Sequence, residues 1–214
     1  MGAIEKLAAH TNKDVWRASS AVGARATSRG WGLDALAGRL VELSAHDASA
    51  TLTIIIALVR EAQLRRELAV WIGLESTVFH AGDAAESGVD LDRLPVVRLS
   101  APESIPIAAD LLVRSGAFAL VVLDLAGAHD GGDLRLAMQT RLVGLAHHHA
   151  TAIVCLTARE RALPSLGSLV SLRAEARHRR LSDGRFACEI DIIKDKRGAA
   201  SKHTELCRGP DGLC

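Results

Sequence analysis

Apolar residues in this chain fall into blocks that alternate between two periods. Residues 118–124 form an almost unbroken apolar run, centred on Leu120 to Leu123 and ending in Asp124. Such a run predicts a strand buried on both faces, in the middle of a parallel sheet covered by helices. Residues 36–43, with Leu40, Val41 and Leu43, predict a strand ahead of it. Residues 51–66 have helical spacing and predict a helix with Leu52, Ile55, Ile56, Val59 and Leu64 on its apolar stripe. A strand over 67–74, a short helix over 80–88, a turn over 88–95 and a strand over 96–99 follow. A helix over 102–116 turns Ile105, Ala108, Ala109, Leu112 and Val113 inward. After the central run come a helix over 134–149, with Leu136, Met138, Leu142 and Leu145 inward, and a fifth strand over 150–157. This alternation predicts an α/β fold whose mostly parallel, twisted sheet carries helices on both faces.

The pattern changes from residue 168. Residues 169–177 and 186–193 alternate with period two across the turn 182–184, which predicts antiparallel strands added to the carboxy-terminal edge of the sheet. Residues 194–214 are basic, then glycine-rich, and read as a final strand or a tail. At the other end, Ile4, Leu7 and Ala8 lie on one face of an amphipathic helix over 1–12. A polar connector follows over 13–30, with Trp16 and Trp31 as anchors. The chain thus divides into an amino-terminal helix and connector (1–30), a core (31–200) and a tail (201–214). Ile4, Leu7 and Trp16 are the candidate contacts with a partner or a second copy.

Composition narrows the function classes. A chain of 214 residues can build one α/β domain with a real core. Lys and Arg number 26 against 25 Asp and Glu, so any polyanion contact needs a local patch. Arg173, Arg177, Arg179 and Arg180 are the one basic cluster, read either as a solvated hairpin or as a contact with DNA or a partner. With no Tyr, three Trp and three Phe, stacking platforms for single strands are scarce. No Cys-x-x-Cys pair and no signal peptide occur. The expectation is therefore a cytoplasmic protein with reduced thiols, Cys155 in the core and Cys207 and Cys214 in the tail. The longest apolar run, 52–59, is too short to cross a bilayer. His147, His148 and His149 point in three directions on a helix and read as a solvated helix end rather than a metal site.

The connection between the first strand and the first long helix has the place and length of a phosphate loop. Such a loop needs two glycines to wrap phosphates with backbone N–H groups, a lysine to neutralise the terminal phosphate and a hydroxyl to hold magnesium. Here Ser44 and Ser49 stand at the glycine positions, Ala50 at the lysine position, and Asp47 adds a negative charge; Thr51 alone is kept. Asp124 ends the central strand where a nucleotide-binding sheet places a magnesium-holding carboxylate.

The order of further motifs resembles the RecA family over about residues 33–200. Gly38-Arg39 leads into the first strand, Glu75 ends the second at the family's catalytic position, and Gly88-Val89-Asp90 forms the turn before the third. Arg114-Ser115-Gly116 precedes the strand that ends in Asp124, and a late strand carries Lys194-x-Lys196. Asp14-Val15-Trp16-Arg17 and residues 123–127 look like the ImuA group within that family. The resemblance implies a RecA-like core and a role in DNA-damage-induced SOS mutagenesis. Partners there would be an ImuB-like protein and an error-prone polymerase in translesion synthesis, and RecA itself, whose recombination activity the chain would limit. It also implies self-assembly through residues 1–12.

Departures from the family are as telling. Only residues 128–133, with two aspartates, stand for the first DNA-binding loop, and only residues 158–167 for the second. Thr157-Ala158 replaces the Asn-Gln phosphate sensor. The expectation is a protein with no ATPase activity, no cofactor or metal and weak or no direct DNA binding, in which Glu75 and Asp124 are inherited structure. Two alternatives remain: a divergent ATPase using another cation, and a DNA-binding accessory working through the arginine cluster.

Overall fold

A computed structural model describes residues 31–44, 49–77, 79–127, 134–182 and 186–198, with the backbone of 202–207. Ile4, Leu7, Trp16 and the predicted helix over 1–12 lie outside the described residues, as do Asp47 and the loop 128–133.

The element order is α1 (Leu33–Leu36), β1 (Arg39–Ser44), α2 (Thr51–Leu64), β2 (Leu68–Leu74), α3 (Ala81–Glu86), β3 (Val96–Leu99), α4 (Ser104–Arg114), β4 (Phe118–Asp124), α5 (Leu136–His149), β5 (Ala152–Thr157), β6 (Leu172–Arg180), β7 (Phe186–Asp195) and β8 (Lys202–Cys207). One sheet holds all the strands in the order β3-β2-β4-β5-β1-β6-β7-β8. β1 to β5 pair in parallel. The antiparallel strands expected at the carboxy-terminal edge are β6 and β7, continued by β8, while β6 itself joins the sheet by pairing parallel to β1. The reason is the connection: residues 158–171 carry the chain back to the amino end of the sheet, as a crossover to a parallel partner must.

Alternate residues of the buried strands feed two cores. Val41 and Leu43, Leu120 and Val122, and Val154 and Leu156 pack with Trp31 and with Ile54, Ile55, Leu58 and Val59 of α2. Leu40, Val121, Leu123, Ile153 and Cys155 pack on the other face with Ile105, Ala109 and Val113 of α4 and Leu142 and Ala146 of α5. Two predicted helical stripes are out of phase. Leu52 and Leu64 are exposed while Ile54, Leu58 and Ala62 are buried, and Leu136 is exposed while Gln139 is buried. α2 is apolar around most of its circumference, so spacing alone does not say which side meets the sheet.

Gly38 joins α1 to β1 at φ 67, a left-handed geometry that glycine adopts without strain. Its neighbour Arg39 is buried, donates to Ser171 Oγ and Ser171 O at 3.0 Å each, and forms an ion pair with Asp195. Cys155 is a free, buried thiol, whereas Cys188 is disulfide-bonded, contrary to the reduced state expected.

Candidate functional site

The carboxyl ends of β1, β4 and β5 meet on one side of the sheet, where a parallel α/β fold binds its ligands. The register sets Ser44 of β1 beside Thr157 of β5, and Asp124 of β4 beside Leu156. Since β5 lies between them, Ser44 and Asp124 are two strand spacings apart, about 10 Å. Glu75 follows β2 on the same side. The topology thus gathers the ends predicted to form a nucleotide site, and the local chemistry of each residue says what that site can do.

Ser44 is fully buried, and its hydroxyl donates to Ala174 O at 3.2 Å, across to β6. Ser49 lies just ahead of Ala50, the N-cap of α2: its Oγ accepts from Thr51 N at 3.1 Å and donates to Thr51 Oγ1 at 2.8 Å. A serine hydroxyl in this position satisfies one of the orphan N–H groups of a helix start. Ala50 donates its N–H to Ala176 O at 3.2 Å, and Ser49 bridges to Arg177, so the end of the connection is sewn to β6. The N–H groups of Thr51 and Ala50, donors of the kind a phosphate loop leaves open, are engaged by a side chain and by a neighbouring strand.

Asp124 is nearly buried. Burial pushes its carboxyl above the usual carboxylate range, opposed by the Ala126 N–H at 3.3 Å and the Thr77 hydroxyl. Gly73 lets this group sit close to β2, because a Cβ there would be 3.3 Å from Asp124 Cβ. Glu75 is exposed; its N–H donates to Leu99 O at 2.9 Å, and Arg98 donates to its carbonyl at 3.0 Å and to Thr77 O at 3.2 Å. Arg98 is thus spent on the backbone of the turn after β2.

A buried, bonded carboxylate near the site that sequence reasoning passed over is Glu42. It sits in the middle of β1 at 0% exposure, on the face otherwise filled by Leu40. Its carboxylate accepts from Thr157 Oγ1 at 3.1 Å and from Leu166 N at 2.8 Å, and lies 3.7 Å from Arg173 Nε. Arg173 also donates to Leu163 O and Glu160 O. A register shift between β6 and β7 places Lys194 opposite Arg173, where its ammonium reaches Ser165 Oγ at 3.3 Å; Lys196 donates to Ser168 O at 2.6 Å. Burial beside other cations pulls the Lys194 ammonium below its ordinary range. Gln139 of α5 completes the fastening by accepting from Leu169 N at 3.0 Å. Gly167 allows that approach, since a Cβ there would fall 2.1 Å from Gln139 Nε2. The segment after β5 is therefore held at many points by buried polar groups.

The predicted basic cluster breaks apart. Arg173 is not a surface contact, because it is buried against Glu42. Arg177 pairs with the buried Glu175 at 2.5 Å, and Arg179 pairs with Glu189. Arg180 is exposed at the end of β6. Arg173, Arg177 and Arg179 share one face of β6, and Arg173 alone is buried because residues of the connector after β5, through Leu163 O and Glu160 O, cover it. Among the described residues no group of His, Cys, Asp and Glu is arranged to hold a metal ion, and no helix is long and apolar enough to cross a membrane.

The family model for the RecA N-terminal domain matches residues 1–158. The chain is 32% identical over 126 residues to Protein RecA of Francisella philomiragia, covering 54% of this chain and 34% of that protein. It has the same identity over the same length to Protein RecA of Frankia alni, covering 54% of this chain and 35% of the relative. The chain thus spans about a third of the length of these relatives. With the sheet order and the strand-end positions above, the match establishes that this chain belongs to the RecA family.

Proposed function

We propose that the chain is a non-catalytic RecA-like accessory protein of the DNA-damage-induced mutagenesis machinery. It works through protein contacts, with an ImuB-like protein and an error-prone polymerase in translesion synthesis and with RecA, whose filament growth it limits. The observation that carries this reading is the connection from β1 to α2. It has no lysine, Ser49 Oγ takes up the Thr51 N–H, and the Ala50 N–H is bound to β6. A triphosphate there would lack the loop lysine, and among the described residues the N–H groups of Ala50 and Thr51 are already engaged. The retained features of the family are those that shape its surface, and shape is what docking on a RecA protomer or filament end requires.

The test has two arms. Calorimetric titration of the purified chain with ATP and magnesium is expected to show no saturable binding in the micromolar range. The chain in stoichiometric excess is expected to slow RecA filament assembly on single-stranded DNA; unchanged assembly and strand exchange would remove the RecA part of the proposal. The second reading, a divergent ATP-binding member, is favoured by Thr51 and Asp124 at the family's positions. Saturable micromolar binding that Asp124→Ala abolishes would select it.

A further inference from the structure

The cysteines of the chain are Cys155, Cys188, Cys207 and Cys214. Cys155 is free and Cys188 is disulfide-bonded, so the bond runs to Cys207 or Cys214, both beyond the end of β7. Cys188 is fully buried, in the core that packs against α2 with Ala176 and Ile190. The register pairs it with His178 of β6 on one side and with Glu205 of β8 on the other. Directly opposed residues share a face, so His178 stands next to Cys188, with its Nε2 3.4 Å from Thr53 Oγ1. β8 is the last strand of the sheet, and its partner is β7. Its sequence, Lys-His-Thr-Glu-Leu-Cys over 202–207, offers Leu206 as its large apolar residue. A ladder with so little apolar area to bury is marginal without a further tie.

We infer that the Cys188 bond is a redox-sensitive latch that fastens the carboxy-terminal strand to the sheet. The inference stands apart from the accessory reading above and survives its failure. A peroxide closes the latch. The thiolate of the later cysteine attacks one peroxide oxygen, the O–O bond breaks, and a sulfenic acid and water result. Cys188 then attacks that sulfur. The S–S bond forms, hydroxide leaves, and the Cys188 proton, taken up by His178, ends in a second water. Two thiols are oxidised and one peroxide is reduced. A dithiol reverses the step by exchange and supplies the two electrons. Closed, β8 satisfies the outward N–H and C=O groups of β7. Open, β8 frays, and β7 becomes an edge strand with those groups bare. β1 to β5 pair with one another and bury their side chains against α2, α4 and α5, so release of β8 leaves that half of the sheet standing. The bond thus decides which strand ends the sheet.

The test compares the purified whole chain after hydrogen peroxide and after dithiothreitol. Mass spectrometry is expected to show the loss of two hydrogens after peroxide, and peptide mapping to find Cys188 joined to Cys207 or Cys214 of the same chain. Hydrogen exchange at 186–191 and 202–207 is expected to quicken roughly hundredfold in the reduced chain, with β1 to β5 unchanged. Cys207→Ser or Cys214→Ser, whichever removes the bond, should exchange like the reduced parent under both treatments. His178→Gln should slow closing by peroxide severalfold, and closing at the parent's rate overturns the proton transfer to that residue. A bond between two chains, equal exchange in the two states, or exchange that rises throughout the sheet on reduction overturns the latch. None of these outcomes bears on ATP binding or RecA assembly, which test the accessory reading separately.

Discussion

Asp124 and Ser49 occupy positions where the family's pattern expects ligand chemistry, and each bonds to the protein's own chain, Asp124 to the Ala126 N–H and Ser49 to Thr51. Asp124 is almost out of water, and the groups facing it are a single N–H and a threonine hydroxyl. Its carboxyl is raised, so its ionised form opposes folding: the stability it contributes is full below the unfolded value and lost as pH rises through the folded one. Asp124→Asn should therefore melt at a higher temperature than the parent at neutral pH, with the gain fading as the buffer is made acidic. Thermal melts across that pH series check it, and a neutral-pH loss would mean that the charge has a partner. Ser49→Ala, by removing the acceptor of the Thr51 N–H at the start of α2, should cost about 1 kcal/mol in chemical denaturation.

Among the elements, β1 to β5 and their helices were legible because long apolar runs and helical spacing alternate with turn residues at each change. Asp124 and Ser44 were placed at strand ends for the same reason. The phase of α2 was not legible, since Leu52 and Ile54 are equally apolar and only the sheet decides which is covered. Glu42 was not legible either: Leu166 and Arg173, which give it its environment, are 124 and 131 residues away along the chain. A lone carboxylate in a strand reads as an interruption until its partners are placed. The same distance hid Arg173, which looked like one of four solvated arginines.

The connector from β5 to β6 provides the prediction at this scale. Glu42→Gln keeps the shape but leaves Arg173 as a buried cation without its counter-charge, a change expected to cost about 3–5 kcal/mol. Trypsin should then cut the chain at Arg159 or Arg161 well before it cuts the parent. Glu42→Gln combined with Arg173→Met should recover much of the loss, since removing both charges leaves neither one stranded. Equal proteolysis of Glu42→Gln and the parent would show that the connector is held by Gln139 and the lysines alone.

For the molecule as a whole, the ion pair of Arg39 and Asp195 ties the start of β1 to the end of β7, joining the parallel half of the sheet to its antiparallel edge. Burial pushes the Asp195 carboxyl up, but the Arg39 guanidinium and the Arg197 N–H at 2.9 Å outweigh it and hold it below the usual range. A lowered carboxylate adds stability that is present above its unfolded value and lost as pH falls through the folded one. Asp195→Asn should thus cost about 3 kcal/mol at neutral pH, with the gap closing in acid. Tryptophan fluorescence and far-ultraviolet dichroism should move together, since Trp31 and Trp71 sit in the same core, on the face of the sheet that packs against α2. The stitching of Ala50 to Ala176 reaches further than local stability. Under the proposed reading, lysine and glycines grafted back into that stretch would not return a working engine. The grafted loop would first have to be prised off β6, so the route back to nucleotide turnover runs through the architecture of the sheet as well as through a handful of codons.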